Sequence, residues 1–167
     1  MTALPRLLLA AALALLVAAC APEDADTAVT PVEITRATAS ALDGMLLADY
    51  PGPKAQVHYA GQAEPEFYCN TRDLMVVQLA PETLRKVRAI FVQDMARADW
   101  DAPTGHWIDA RSAWYVAGSS RRGSMGPTLA SFSGEADARA FAAQWGGDVL
   151  RFDEIGPQHL GAPGDGL

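Results

Sequence analysis

The chain has two cysteines and three histidines among 167 residues. No pair of cysteines has zinc-site spacing, and there is no Gly-x-Ser-x-Gly elbow, phosphate loop or dinucleotide fingerprint. Asp43, Asp94, Asp99, Asp101 and Asp109 are present, but nothing in their spacing sets two carboxylates across a cleft for acid–base work. Nothing in the sequence therefore recommends an enzyme. Basic residues are also scarce, 13 against 20 acids for a net charge of −7, which argues against nucleic acid as a partner. Nor is there a basic patch to hold an anionic lipid surface. The longest apolar run falls short of the roughly 20 residues a bilayer-spanning helix needs.

That run belongs to the amino terminus. Arg6 precedes an apolar stretch over residues 7–17, followed by small residues, the layout of an export signal. It ends Val17-Ala18-Ala19-Cys20, which resembles the lipobox read by lipoprotein-processing machinery. The expectation is a signal peptide over 1–19, cleavage before Cys20, and a lipid on that cysteine that attaches the body to a membrane. Ala21, not being aspartate, points to the outer membrane, with the body on the periplasmic side. Lipidation of Cys20 leaves Cys69 as the one free thiol. An unpaired thiol in an oxidising compartment needs burial or a ligand.

Residues 20–40 are rich in Asp, Glu, Thr, Ala and Pro without an apolar period and read as a flexible spacer, with a reach of about 25 Å as a coil. The folded body is expected over 41–155. Strands are expected at 55–60, with Val57 and Tyr59 on one face and Gln56 and His58 on the other, and at 66–69. A helix follows to residue 80, capped by Thr71, with Leu74, Val77 and Val76 or Ala80 toward a core. Pro81 opens a short helical stretch before a strand at 87–93. Beyond a loop at 95–105 the pattern repeats: strands at 113–117 and 128–132, a long Gly-rich turn between them, a helix at 134–145 capped by Ser133 with Ala138, Phe141 and Trp145 on one stripe, and a strand at 149–152. This is an α+β fold of two related small strand-strand-helix-strand halves, about 41–95 and 106–155. The Gly/Pro-rich tail over 156–167 reads as disordered.

The chemistry that remains is soft. Met45, Met95 and Met125 lie in loops and Cys69 at a strand end. Thioether and thiolate sulfur with a little imidazole favours Cu(I) over hard cations. Met125, with glycines on both sides of its turn, has little to pack against. Met75, embedded among apolar helix residues, reads as core filling. Cys69 reads equally as a small buried hydrophobe or a ligand. His58, on the polar strand face, is either an accessible neutral ligand or an unremarkable surface histidine. His106 reads as bridging backbone groups, and Asp99 and Asp101 as turn formers or ligands.

Gly44-Met45, Gly52-Pro53-Lys54-Ala55-Gln56, Thr71-Arg72-Asp73, Val92-Gln93-Asp94-Met95, Asp99-Trp100, His106-Trp107-Ile108-Asp109-Ala110, Trp114-Tyr115-Val116 and Met125-Gly126-Pro127 together resemble the NosL family, lipoproteins that assist assembly of nitrous oxide reductase. The likeness runs from about residue 42 to 155. It implies a periplasmic Cu(I) chaperone that delivers copper for the reductase's copper-sulfide cluster. The family commonly places a cysteine before the Gly-Met or Gln-Met pair and associates it, with a downstream methionine, with copper. The methionine matches Met125, whereas Asp43 stands at the cysteine's position. A carboxylate is a poor replacement for thiolate toward Cu(I).

Either Cys69 supplies the missing sulfur or the chain has weak or altered metal affinity. The preferred reading converges Met125, Cys69, His58 and Met45 as the metal site. Two alternatives stand beside it. One is a metal-free module that docks on the reductase or its maturation complex through Trp100, Trp107, Trp114 and Tyr115. The other is a general periplasmic copper scavenger.

Overall fold

Alternation in Ala55, Val57 and Tyr59 builds the first strand, β1 (Ala55–Tyr59), and all three side chains are buried. The computed structural model describes residues 28–80 and 85–161. Cys20, the residues expected to form a leader and the helical stretch expected to open at Pro81 lie outside the described residues. No described helix is long and apolar enough to cross a membrane.

β2 (Glu66–Tyr68), α1 (Thr71–Leu79) and β3 (Val87–Gln93) complete the first strand-strand-helix-strand unit. β1 pairs antiparallel with both other strands, Ala55 opposite Tyr68 on one side and Val92 on the other. The second unit comprises β5 (Trp114–Ala117), β6 (Ala130–Phe132), α2 (Glu135–Trp145) and β7 (Asp148–Arg151). Its sheet order, β6-β5-β7, repeats the β2-β1-β3 order of the first, so the expected pair of related halves holds in topology. The sequence reading missed β4 (Trp107–Asp109), a three-residue strand that extends the first sheet beyond β3. Three residues carry too little alternation to signal a strand.

The halves share a core. Val57, Leu74, Met75, Ile90 and Val92 of the first pack with Tyr115, Ala117 and Leu129 of the second. The opposite face of β5 offers Val116 to a second cluster with Ala138 and Phe141 of α2, where Trp145 packs half-buried, as the helical stripe predicted. Met75 is buried, whereas Val76 is exposed.

Several expectations need correction. Gln56 is not on a solvent face, because its amide pairs with the N–H and carbonyl of Val32 at 2.8 and 2.9 Å and the incoming chain covers it. The segment read as spacer is therefore attached to the body from Val32 onward. Thr71 does not cap α1: Asn70 does, and the Thr71 hydroxyl donates to the Leu129 carbonyl at 2.6 Å. Ser133 does not cap α2 either; Gly134 occupies that position, and the Ser133 hydroxyl donates to Asp94 at 2.6 Å. The tail read as disordered is built into the body at Leu160, whose side chain is buried in the shared core and whose carbonyl accepts from Arg72 Nε; residues 162–167 lie outside the described residues.

Candidate metal centre

Where β2 ends, the chain turns into α1 through Cys69 and Asn70. Cys69 is buried, and its carbonyl accepts from Ser124 Oγ at 2.9 Å and Lys54 Nζ at 3.2 Å. Lys54, itself buried, also donates to the carbonyls of Tyr50 at 2.8 Å and Pro51 at 3.0 Å. An ammonium has three protons, and each finds an acceptor. Burial lowers the Lys54 pKa to about 8, against the pull of Cys69. The Cys69 thiol is pushed above its ordinary value by burial; Lys54 and the Ser124 hydroxyl oppose that, while Asp43 and Asp73 reinforce it.

The second half contributes the turn between Gly123 and Gly126, closed by Gly123 N to Gly126 O at 2.9 Å. Its tip is Met125, 53% exposed and held at φ +56°. That left-handed backbone costs an L-residue with a β-carbon roughly 1 kcal/mol, and such strain concentrates where function requires it. Asn70 grips the turn, its amide nitrogen donating to Ser124 O at 2.8 Å and Pro127 O at 3.0 Å. Gly52 allows the close approach, since a β-carbon there would lie 2.7 Å from Gly123 Cα.

A small hairpin brings the third element. Ser40 N donates to Met45 O at 2.8 Å, and Ala41 N to Phe67 O at 2.8 Å, which seats the hairpin on β2 just before Cys69. Asp43 Oδ1 accepts from Met45 N at 3.0 Å, and its charge acts on the Cys69 thiol. Met45 is half-buried.

Cys69, the Met125 turn and the hairpin bearing Asp43 and Met45 thus gather at one end of the first sheet. His58 lies elsewhere. It is three residues beyond Ala55, about 10 Å along β1, with Nε2 bonded to Gln56 Oε1 at 2.9 Å and the ring edge-on to Phe91. Its pKa is lowered by burial and then by Arg88, with Glu64 opposing, and neither of those two charges acts on Cys69. Among the described residues no three His, Cys, Asp or Glu side chains group as metal ligands. The softness of this site rests on sulfur. Lys54, Asn70 and Ser124 escaped sequence reasoning because long-range contacts define them. The one signal was Lys54 within Gly52-Pro53-Lys54-Ala55-Gln56, one of the motifs that carry the family resemblance.

The aromatic residues do not form one exposed patch. Trp100 and Tyr115 are buried, the Trp100 Nε1 donating to Arg122 O at 3.1 Å and the Tyr115 hydroxyl to Ala110 O at 2.6 Å. Of the four aromatics expected at a docking surface, Trp107 and Trp114 are partly exposed.

The NosL family model matches residues 31–160. The chain belongs to the NosL family. It is 42% identical over 158 residues to the copper-binding lipoprotein NosL of Achromobacter cycloclastes, covering 92% of this chain and 81% of that protein. It is 41% identical over 135 residues to the copper-binding lipoprotein NosL of Stutzerimonas stutzeri, covering 80% and 70%. The crystal structure of the copper chaperone NosL from Shewanella denitrificans superposes with a TM-score of 0.76 at 39% identity, covering 79% of this chain and 99% of that one. The NosL match begins at residue 31, beside the point where Val32 joins the body.

Proposed function

We propose that this protein is a lipid-anchored periplasmic Cu(I) chaperone, without enzymatic activity, that delivers copper for assembly of the copper-sulfide centre of nitrous oxide reductase. Copper is its cargo, and Cys69 and Met125 are the donors that hold it. The observation that carries the reading is the strained, exposed Met125 fastened over the Cys69–Asn70 junction. Thiolate plus thioether selects Cu(I) over the hard cations. Met45, on the hairpin that also bears Asp43, is positioned as an auxiliary sulfur donor, and His58 is left outside the site. The thiol's raised pKa keeps it protonated without metal, which suits a carrier that must release its cargo.

Cys20 supplies the anchor in this reading, with Ala21 directing the protein to the outer membrane. The attachment of Val32 to Gln56 shortens the tether, so the partner comes to a body held near the bilayer. Competition for Cu(I) against a strong chelator, with the native protein, Cys69→Ser and Met125→Leu, tests the donors. Both variants are expected to bind at least tenfold more weakly, and native affinity in both would sink the site. Transfer is tested by incubating the copper-loaded protein with copper-free reductase and following copper uptake. Retention of all copper by the chaperone would leave a scavenger.

A further inference from the structure

Asn70 carries more hydrogen bonds than a helix cap requires. Its amide oxygen accepts from Arg72 N at 2.9 Å, which is the cap, and also from Thr128 Oγ1 at 2.7 Å. Its amide nitrogen donates to Ser124 O at 2.8 Å and Pro127 O at 3.0 Å. Two donors and two acceptor sites are the full capacity of a primary amide, and all are in use in a side chain only 3% exposed. The two carbonyls it grips flank Met125, one residue before it and two after. Asn70 also follows Cys69 directly in the chain.

We propose that Asn70 is the positioning residue of the copper site, fixing the Met125 thioether relative to the Cys69 thiol by holding both shoulders of the turn. The proposal rests on the reading of Met125 as a copper donor. The amide touches no copper; it acts through the turn. A donor held by an exposed turn alone would sample many positions, and each would have to be given up on binding. The clasp removes that freedom before copper arrives, in the way residues behind a first coordination sphere orient the ligands themselves. Ser124 completes the clasp, since its carbonyl takes the Asn70 amide while its hydroxyl reaches back to the Cys69 carbonyl at 2.9 Å.

Asparagine is the residue this requires. Aspartate caps a helix equally well and keeps both acceptors, but it has no N–H for the two carbonyls and sets a carboxylate against them. Asn70→Asp therefore separates the cap from the clasp.

The test is a double-mutant cycle on the full-length protein, with Cu(I) affinity measured by chelator competition for the native chain, Asn70→Asp, Met125→Leu and the double variant. Asn70→Asp is expected to weaken Cu(I) binding about 10–100-fold in the native background and to have almost no further effect once Met125 is leucine. X-ray absorption of copper-loaded Asn70→Asp should show one sulfur neighbour fewer at the metal. Equal losses in both backgrounds would overturn the proposal, because Asn70 would then act on the fold rather than through Met125. A null effect of Asn70→Asp beside a loss in Met125→Leu would overturn it too, with the donor assignment intact. Native affinity in Met125→Leu would remove the donor assignment and the proposal together. If Asn70→Asp does not fold, Asn70→Ser, which keeps an N-cap oxygen and has no amide nitrogen for the two carbonyls, takes its place in the cycle with the same outcomes.

Discussion

Gly52 faces Gly123 so closely that a β-carbon on Gly52 would sit 2.7 Å from the Cα of Gly123. The two glycines are the point where the turn entering β1 meets the turn carrying Met125. Gly52 is also held at φ +80°, and its N–H donates to Trp100 O at 2.7 Å. Contact between two backbones cannot be relieved by a rotamer change.

Gly52→Ala is accordingly expected to destabilise the protein by about 2–4 kcal/mol, from left-handed strain plus the steric displacement. The displaced turn should also bind Cu(I) more weakly. Thermal melts and chelator competition read the two effects. A variant with native stability would show that the turns separate at little cost.

Asp94 is another tie between the halves. Buried at the end of β3, its carboxylate accepts from Ser133 Oγ at 2.6 Å, Ser133 N at 3.2 Å and Ala96 N at 3.1 Å. Asp94→Ala strips the partner from three donors and should cost about 2–4 kcal/mol by urea denaturation. Cu(I) affinity should hold near native, since the ties of the Met125 turn to Asn70 are separate. A large affinity loss at small stability loss would reverse that separation.

The alternation of β1, the stripe of α2 and the repeated order of elements were legible because they depend on neighbours within a few residues. Cys69 and Met125, the donors of the proposed site, stand out in the sequence by residue type. What was not legible depends on contacts across 24 to 58 residues of chain: the burial of Gln56 under Val32, and the Asn70–Thr128 bond. Ser133 and Thr71 carry cap chemistry, but partners in the other half claimed their hydroxyls first. His58 looked available by its strand face, and only the register of β1 removes it from Cys69.

At the proposed site the pH dependence of copper binding follows from Cys69. Thiolate is the ligand form, so below the thiol pKa each copper bound displaces one proton, and affinity falls about tenfold per pH unit. Burial pushes that pKa above its ordinary value, so the slope should run unbroken through the neutral range. Titrations from pH 6 to 8 with the chelator's own proton competition corrected would check it. A flat profile would mean the thiol is already ionised or is not a ligand.

Lys54 gives a different pH signature. Its folded pKa is about 8 against an ordinary 10.5, so between those values the unfolded chain binds the extra proton and stability contributed by this group rises with pH. Below about pH 8 the lysine is charged in both states and the full penalty is present. In a Cys69→Ser background, which silences the thiol, the stability of the Lys54 protein relative to Lys54→Met should therefore improve by up to about 3 kcal/mol from pH 8 to 10.5. A constant difference across that range would place the lysine pKa near its ordinary value.

Met125→Gly sets stability against function at one position. Glycine adopts φ +56° without the β-carbon penalty, and the side chain it removes is more than half exposed. The gain from relieved strain, about 1 kcal/mol, exceeds what little packing is lost, although the more flexible unfolded glycine chain offsets part of it. The variant should melt at or slightly above the native temperature while binding Cu(I) at least tenfold more weakly. That combination would mark Met125 as a residue kept at a strained position for its sulfur. A fall in melting temperature of several degrees would instead show that its side chain packs the turn.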